Sequence, residues 1–393
     1  MSVAGNKAFR GAAAITGIGS AGMGDATGFS EMEILSMAAR RAVADAGLEM
    51  ADIDGLCTCS GSATMWALPV AEYLGIQPRF VDSTMLGGSS FVAQLLPAVH
   101  ALMAGECTNV LVCYGSTQRS GSVDRAAVTK MRQVLDPQPY ETPYQPMQPI
   151  SAYALATARH MHQYGTTRAQ LAEVAVAARQ WAQLNPAAFS RGPLSIDDVL
   201  AARMVCDPLG VRDCCLLTDG AGAFVLTRAE RAKDGPNPPA YILGNASETW
   251  HRQISSMPDL TVTAASRSGP RALEMAGVSI AEIDLAFLYD AFTINVILFL
   301  EDLGFCAKGE GGSFVQGGGI APGGRLPVNT NGGGLSFGHP GMYGSFLVLE
   351  AVEQLRGTAG ARQQAGVNLA LVHGNGSTLS SQSTAILATE AAL

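Results

Sequence analysis

A helix-and-strand pattern occurs twice along the chain, once in each half. Segments Ala38–Leu56 and Ser268–Phe287 both begin as an Ala-rich helical pattern that ends at a glycine. Each continues through a short acidic turn into a run of apolar residues typical of a buried strand. The similarity indicates an internal duplication of a helix–strand unit.

Two further pairs of apolar strand patterns follow in the same order. They are NVLVCYG at 109–115 with NLALVHG at 368–374, and AGAFVLT at 221–227 with STAILAT at 383–389. Chance likeness between Ala- and Gly-rich stretches is the alternative explanation, but three matched units in one order argue against it. The pattern therefore predicts an α/β protein of two halves, residues 1–245 and 246–393, each a sheet with helices on its faces.

The first half carries an insertion at about residues 117–205. It starts with an irregular Pro- and Tyr-rich stretch, Asp136–Ile150, and continues with helical patterns over Ala152–Tyr164 and Arg168–Asn185. A long irregular loop inside a compact protein is typical of a lid or a pocket wall. A plain surface excursion fits the sequence equally well.

Composition excludes several classes of function. Hydrophobic residues make up 48% of the 393 residues, enough for a large core, and the formal net charge is −8. The chain has no block of Lys and Arg, which argues against binding nucleic acid or an anionic membrane. The longest apolar tract, Ala291–Leu300, is shorter than the roughly 20 residues of a membrane-spanning helix. No apolar signal core follows Lys7 and Arg10, so we expect no membrane insertion and a cytoplasmic protein.

The eight cysteines do not form a repeated C-x-x-C pattern, so we expect no structural zinc and no other metal site. Most of them lie in apolar runs and are interpreted as reduced core residues. The sequence also lacks a Walker-type or dinucleotide motif, so no bound cofactor is expected.

Three motifs carry a resemblance to a known family. They are Arg203–Ala223 (RMVCDPLGVRDCCLLTDGAGA), Tyr289–Phe292 (YDAF) and Asn331–Gly344 (NGGGLSFGHPGMYG). Together with the two-half pattern they resemble the thiolase superfamily, in the branch of lipid-transfer-protein or sterol-carrier-type thiolases, nearly end to end. The resemblance implies a thiolase fold: two duplicated α/β halves in a five-layer α-β-α-β-α arrangement, with a loop domain inserted in the first half.

Both sulfur groups of thiolase catalysis are absent. The family's nucleophile motif C-A-x-G falls on Met85 to Gly88, and the cysteine of its HDCF motif falls on Ala291. A thioether has no proton to lose and cannot form a thioester. Ser89 and Ser90 are possible substitute nucleophiles, although serines near a helix start more often cap backbone N–H groups.

An aldol cleavage needs no acyl carrier, only a base, an oxyanion site and a proton donor. The sequence resembles thiolase-like aldolases that shorten steroid side chains, and by that likeness Tyr289 or Tyr343 is the base on a β-hydroxyl. The other tyrosine orients the substrate or returns a proton, and His339 donates a hydrogen bond to the thioester oxygen. We expect further substrate or oxyanion contacts from four residues: His373, Asn331, Gly376 and Met85. Asp290 is expected to hold its loop through backbone N–H groups.

The expected reaction is retro-aldol cleavage of a β-hydroxyacyl-CoA to a ketone and a short acyl-CoA such as propionyl-CoA. Coenzyme A is then part of the substrate, and the loop residues Tyr140, Tyr144 and Met147 suit a bulky, steroid-like acyl group. Two alternatives stay open: an acyl-CoA acyltransferase or thiolase with an unusual nucleophile, and a noncatalytic lipid or acyl-CoA binding subunit.

The resemblance also implies partners. It implies a homodimer that pairs through the strand near Val110–Tyr114. It further implies a small OB-fold protein with a zinc ribbon, which would complete a heterotetramer.

Overall fold

The computed structural model describes residues 8–121 and 138–393. Within these ranges the strands are, in chain order, β1 (Ala13–Gly24), β2 (Gly55–Thr58), β3 (Phe80–Asp82), β4 (Asn109–Ser116), β5 (Met204–Cys206), β6 (Leu209–Gly210), β7 (Asp219–Arg228), β8 (Ala240–Thr249), β9 (Leu285–Leu288), β10 (Leu369–Gly376) and β11 (Ser381–Ala388).

The helices in the same ranges are α1 (Glu31–Asp45), α2 (Ala67–Leu74), α3 (Ser90–Ala93), α4 (Leu95–Ala104), α5 (Ile150–Tyr164), α6 (Arg168–Gln183), α7 (Ile196–Leu200), α8 (Ala229–Ala232), α9 (Ala265–Ala276), α10 (Thr293–Asp302), α11 (Gly311–Val315) and α12 (Gly344–Arg356). A π-helical turn spans Gly333–Phe337. None of the described helices is long and apolar enough to cross a membrane.

The sheet topology confirms the internal duplication. The main sheet has the strand order β3-β2-β4-β7-β1-β8-β11-β10-β9. In the first half β2 is parallel to β4, which is followed by antiparallel β7 and β1. In the second half β9 is parallel to β10, which is followed by antiparallel β11 and β8. Two residue pairs between β1 and β8 join the two halves of this sheet.

The predicted repeat units correspond to matching elements. The first unit forms α1 and then β2, and its copy forms α9 and then β9. Helix α1 begins at a capping box in which Ser30 and Glu33 bond each other's backbone N–H groups. Gly47 and Gly277 follow the two helices with φ of 72° and 66°, a left-handed conformation that favours glycine.

Five layers result from these contacts. Helix α1 packs on β1, β4 and β7, and α9 packs on β8 and β11, so these two helices form the outer layers. Helices α4 and α12 contact strands of both halves, and together with α3, which packs on β8, β10 and β11, they form the middle layer. Phe91, Val92 and Leu95 are fully buried there, because this segment is enclosed by a sheet on either side. The fold is the predicted thiolase fold.

The predicted boundary between residues 245 and 246 falls inside β8. This strand pairs along its length with β11, and only its first residues touch β1. The division at residues 245 and 246 stays a prediction.

The predicted dimer strand is wrong. Residues Val110–Tyr114 belong to β4, which is hydrogen-bonded to β2 on one side and to β7 on the other. An interior strand has no free backbone groups for a second chain. Among the strands that the structure describes, the open edge of the first half is instead β3, which pairs with β2 and is the first strand in the sheet order.

The insertion forms one wall of the site. Its two predicted helices are α5 and α6; of the irregular stretch Asp136–Ile150, residues 136 and 137 lie outside the described ranges. The Tyr153 ring of α5 stacks on Phe292 at a centroid distance of 4.3 Å. At the end of α6, Asn185 donates from Nδ2 to the Asn331 carbonyl at 2.9 Å. These contacts join the insertion to the YDAF and NGGG segments of the second half.

Candidate active site

Four backbone segments converge beyond the ends of β9 and β10. These two strands are parallel, so their carboxyl ends lie at one edge of the sheet, where α/β proteins commonly bind ligands. Tyr289 directly follows β9, and Gly376 is the last residue of β10. The loop that contains His339 and the turn that leads from Met85 into α3 complete the site.

Tyr289 lies at the centre of this cluster. Its hydroxyl is 2.9 Å from His339 Nε2, and the Tyr343 backbone N–H donates to the same oxygen at 3.2 Å. Burial raises the pKa of Tyr289 well above the usual range, so the phenol is neutral at physiological pH. The phenol therefore needs a neighbouring base before it can accept a proton.

His339 is suited to be that base. Burial lowers the pKa of its imidazole to about 4, which keeps the ring neutral and able to accept a proton. Its loop is fixed on both sides. The His339 backbone N–H donates to Thr218 Oγ1 at 2.9 Å, and the Tyr114 hydroxyl donates to the Pro340 carbonyl at 2.5 Å.

Tyr343 is near the pair, but its hydroxyl is already bonded. It donates to Asn331 Oδ1 at 2.9 Å, and the same oxygen accepts the Gly333 N–H at 2.9 Å. The side chain is fully buried at the beginning of α12. Its ring centroid lies 6.0 Å from that of Tyr289 and 6.3 Å from that of His339. Tyr343 and Asn331 thus hold the Tyr289–His339 pair in place.

Asp290 makes the predicted bonds to its loop. Its carboxylate accepts the Gly334 N–H at 2.7 Å and the Leu335 N–H at 3.2 Å, both in the π-helical turn. A Cβ on Gly333 would stand 2.0 Å from this carboxylate, so only glycine fits there. Burial raises the pKa of Asp290 to about 7 despite these two bonds.

The turn that leads from Met85 into α3 packs against Tyr289 at Gly88. Met85 lies in the turn before α3, its side chain 46% exposed. Three residues on, a Cβ at Gly88 would stand 2.2 Å from the Tyr289 ring and 2.4 Å from its hydroxyl. The phenol therefore lies directly against the turn that carries the nucleophile in thiolases.

Ser89 and Ser90 have structural contacts. Both are fully buried. Ser89 donates to the Leu86 carbonyl at 3.1 Å, and Ser90 donates to the Gly87 carbonyl at 2.7 Å while accepting the Leu86 N–H at 2.8 Å. These bonds close the turn, and Ser89 makes no side-chain capping bond to the helix that follows it. Neither serine is bonded to a histidine that could activate it.

The described thiols near the site are also unsuited to attack. A nucleophilic cysteine needs a lowered pKa, because the thiolate is the reactive form. Burial instead raises the pKa of Cys59, which interacts with Ser90, to about 11. Burial and the neighbouring Asp290 also raise the pKa of Cys215.

His373 does not join the cluster. Its Nδ1 is 2.8 Å from Thr384 Oγ1 and its Nε2 is 2.9 Å from Gln382 Oε1. Both ring nitrogens are therefore hydrogen-bonded to side chains of β11. The expectation that His373 contacts substrate is wrong for the imidazole; its carbonyl instead accepts the Tyr289 N–H at 3.0 Å. Gly376 does reach the site, because a Cβ there would lie 1.7 Å from the Leu86 carbonyl oxygen.

Tyr153 and Asn375 were not singled out by their sequence patterns. The Tyr153 hydroxyl donates to the Ser377 carbonyl at 2.7 Å and accepts from Asn375 Nδ2 at 2.9 Å. This clamp fixes the loop after β10 against the insertion. Tyr153 is one apolar position of an amphipathic helix, so nothing in the sequence distinguishes it from a core residue. Within residues 8–121 and 138–393, His, Cys, Asp and Glu side chains form no group that could hold a metal ion.

The fold and the site define a thiolase-type scaffold in which phenol and imidazole groups stand where sulfur chemistry is expected. The family model "Thiolase C-terminal domain-like" matches residues 246–389. The "Ltp2-ChsH2(DUF35) aldolase" structure superposes with a TM-score of 0.87 at 33% identity, covering 97% of this chain and 99% of that one.

Three curated relatives cover most of the chain. The "Steroid side-chain-cleaving aldolase" of Thermomonospora curvata is 35% identical, covering 89% of this chain and 91% of its own length. The "17-hydroxy-3-oxo-4-pregnene-20-carboxyl-CoA lyase" of Mycobacterium tuberculosis is 33% identical, with 92% and 96% covered. An "Acetyl-CoA acetyltransferase" of Methanothermobacter thermautotrophicus is 32% identical, with 93% and 96% covered. The chain belongs to the thiolase superfamily, in its lipid-transfer-type branch, together with thiolase-like steroid side-chain-cleaving aldolases.

Proposed function

We propose that this protein is a carbon–carbon lyase that cleaves a β-hydroxyacyl-CoA by a retro-aldol reaction, without an acyl-enzyme. The observation that carries the proposal is the 2.9 Å contact between Tyr289 and His339 beside a turn that holds Met85 in place of a cysteine. Sequence identity alone does not decide between a lyase and an acetyltransferase, because the acetyltransferase relative is nearly as similar to this chain as the two lyases are. The chemistry of the side chains favours the aldolase.

The substrate class follows from the reaction and from the relatives' names. The name of the Mycobacterium tuberculosis relative describes a steroid with a 17-hydroxyl and a CoA thioester of the 20-carboxyl group. That hydroxyl is β to the thioester carbonyl, so cleavage between C17 and C20 gives a 17-ketone and propionyl-CoA. We propose a β-hydroxyacyl-CoA of this class, with a bulky ring system on the β-carbon, as the substrate here.

Tyr289 is the group that takes the proton from the β-hydroxyl, and it passes its own proton to neutral His339. The Tyr343 N–H at 3.2 Å stabilises negative charge on the Tyr289 oxygen during this transfer. The carbon–carbon bond then breaks, the β-carbon becomes a ketone, and the electron pair forms a thioester enolate. Positioned proton transfer of this kind typically contributes about 10²–10⁴-fold to a rate.

The enolate oxygen needs hydrogen-bond donors that are fixed before the reaction. The close approach of Gly376 to Leu86 brings the end of β10 against the turn that begins at Met85. We assign the oxyanion site to this junction, with backbone N–H groups as donors. His339 Nε2 is bonded to Tyr289, so proton acceptance replaces the thioester contact expected for this nitrogen.

The test is product analysis with a tertiary β-hydroxyacyl-CoA that carries an α-methyl group. A ketone and propionyl-CoA formed in the absence of free CoA support aldol cleavage. Strict dependence on free CoA would instead mean thiolysis, and unchanged substrate bound with high affinity would mean a binding subunit.

The pH dependence of cleavage should follow His339. The imidazole must be neutral to accept a proton, so kcat/KM is expected to fall as the pH decreases through about 4 and to stay level from about 5 to 8. A change in kcat/KM near pH 7 would instead indicate that activity depends on the ionisation of Asp290, whose pKa is raised to about 7. Repeating the profile with Asp290→Asn separates the two groups.

A homodimer through the open edge strand β3 is the assembly we propose. Large apolar side chains are exposed at Val81 in this strand and at Met65, Leu68 and Tyr73 in and just before α2, the helix that precedes it along the chain. An uncovered edge strand with apolar neighbours is a hazard unless a second chain pairs with it. Val81→Asp is expected to give a monomer by light scattering, whereas Val211→Asp, at an exposed position directly after β6, leaves the dimer intact. A Val81→Asp protein that stays dimeric would exclude this interface.

A second protein completes the proposed assembly as a heterotetramer, a small OB-fold and zinc-ribbon subunit by family resemblance. One solved relative is itself titled with two components, Ltp2 and ChsH2(DUF35). Tyr140, Tyr144 and Met147 are exposed on the insertion. We propose that they cover a bulky acyl group together with that partner.

All eight cysteines are free thiols, which fits the reducing cytoplasm as the compartment.

A further inference from the structure

The proposed cleavage leaves an enolate whose α-carbon must receive a proton. In the family's HDCF motif a cysteine supplies it, and here Ala291 occupies that position. Tyr289 cannot serve directly in the same step, because it has just taken a proton from the β-hydroxyl on the other side of the breaking bond. A separate donor near Ala291 is therefore needed.

The segment around Cys215 runs antiparallel to the YDAF motif. Cys214 is bridged to Phe292, and the Cys215 N–H donates to the Ala291 carbonyl at 2.8 Å. Cys215 and Ala291 are therefore direct cross-strand partners. Side chains of such partners project to the same face, with their Cβ atoms about 4.5–5.5 Å apart. The thiol thus stands beside the place of the missing sulfur.

The surroundings of Cys215 suit a proton donor rather than a nucleophile. Its side chain is only partly buried. A charge on it would interact with Tyr289 and with Asp290. Burial and the Asp290 carboxylate raise the pKa of the thiol, so it carries its proton at neutral pH.

An unsatisfied amide borders the same space. Asn295, in the first turn of α10, is 0% exposed, and neither its Oδ1 nor its Nδ2 has a hydrogen-bond partner. The Asn295 amide lies close enough to the Tyr153 hydroxyl to lower the pKa of that phenol, and a charge on Cys215 would raise the same pKa. Buried polar atoms without partners are rare, and a catalytic site that offers them a bound partner is one explanation for them. The amide groups of an acyl-CoA substrate have that chemistry.

We propose that Cys215 is the catalytic acid that protonates the α-carbon of the enolate, a role that rests on the proposed retro-aldol function. The S–H bond breaks, the new C–H bond forms from the enolate's electron pair, and a Cys215 thiolate remains. The proton held by His339 then returns through Tyr289 to the thiolate. The β-hydroxyl proton is thereby balanced against the proton gained by carbon, and no atom is oxidised or reduced.

Cleavage in D₂O tests this assignment. Wild-type enzyme is expected to release ketone and propionyl-CoA with one deuterium at C2 in a single configuration. Cys215→Ala and Cys215→Ser should lower steady-state turnover by about 10²-fold or more. The propionyl-CoA that they release should carry deuterium in both configurations, because solvent then protonates the enolate. Cys214→Ala is the matched control, since its thiol donates to the Gly210 carbonyl at 3.3 Å, and it should behave as wild type.

The outcomes separate the two proposals. If wild-type enzyme releases no ketone, the retro-aldol function itself fails. If ketone is released and both Cys215 variants keep wild-type turnover and a single configuration, only the role of Cys215 is overturned. Cys215→Ser preserves size and polarity, so a loss of stereochemical control in this folded variant supports the acid role.

Discussion

Replacing Tyr289 with phenylalanine is expected to lower kcat by about 10²–10⁴-fold with little change in KM. Only one oxygen is removed, but it is the atom that meets His339 Nε2 at 2.9 Å and the Tyr343 N–H at 3.2 Å. The loss of these bonds should cost about 1–3 kcal/mol of stability, so the variant stays folded. Steady-state kinetics and thermal melting together measure both effects.

Tyr241→Phe is the matched control for this experiment. Tyr241 is a fully buried tyrosine of β8 whose hydroxyl has no hydrogen-bond partner within residues 8–121 and 138–393, so its removal should leave activity unchanged and stability equal or slightly higher. Tyr343→Phe should fall between the two, because its hydroxyl bonds Asn331 and acts through the position of Tyr289. A Tyr289→Phe enzyme with wild-type kcat would eliminate this tyrosine as the base.

Gly88→Ala is expected to abolish most activity through sterics alone. The added methyl group would stand 2.2 Å from the Tyr289 ring, a distance at which one of the two must move. Overpacking of this kind costs about 1–3 kcal/mol of stability, and a displaced phenol loses its contact with His339. We expect a fall in kcat of about 10²-fold or more, measured beside the melting temperature.

Gly192→Ala provides the comparison, because no atom lies within 4 Å of its Cβ position and its φ is not left-handed. This variant should match wild type in activity and stability. If Gly88→Ala retained full activity, the packing of Tyr289 against the nucleophile turn would have no part in catalysis.

Local patterns were sufficient to predict the duplicated framework. The repeated segments 109–115 and 368–374 became β4 and β10, because each is a continuous apolar run buried on both faces. The YDAF and NGGGLSFGHPGMYG motifs likewise supply four residues that lie in one cluster: Tyr289, His339, Tyr343 and Asn331. These strands and this cluster could be predicted because each pattern or motif consists of residues that are contiguous in the sequence.

The errors arose where distant residues decide the outcome. β3 has three residues, too few for a clear alternation, and its place at the sheet edge depends on pairing with β2. The role of His373 depends on Thr384 and Gln382, which reach it only when β11 pairs with β10. The proposed role of Cys215 likewise depends on its position opposite Ala291, which lies 76 positions further along the chain. Such relations exist only after folding.

The intact mass of the enzyme, acid-quenched while it turns over a tertiary β-hydroxyacyl-CoA, tests the absence of an acyl-enzyme most directly. The account predicts that the quenched protein has the mass of the free chain at every time point while ketone accumulates. A population heavier by the mass of the acyl group, on any side chain, would contradict it.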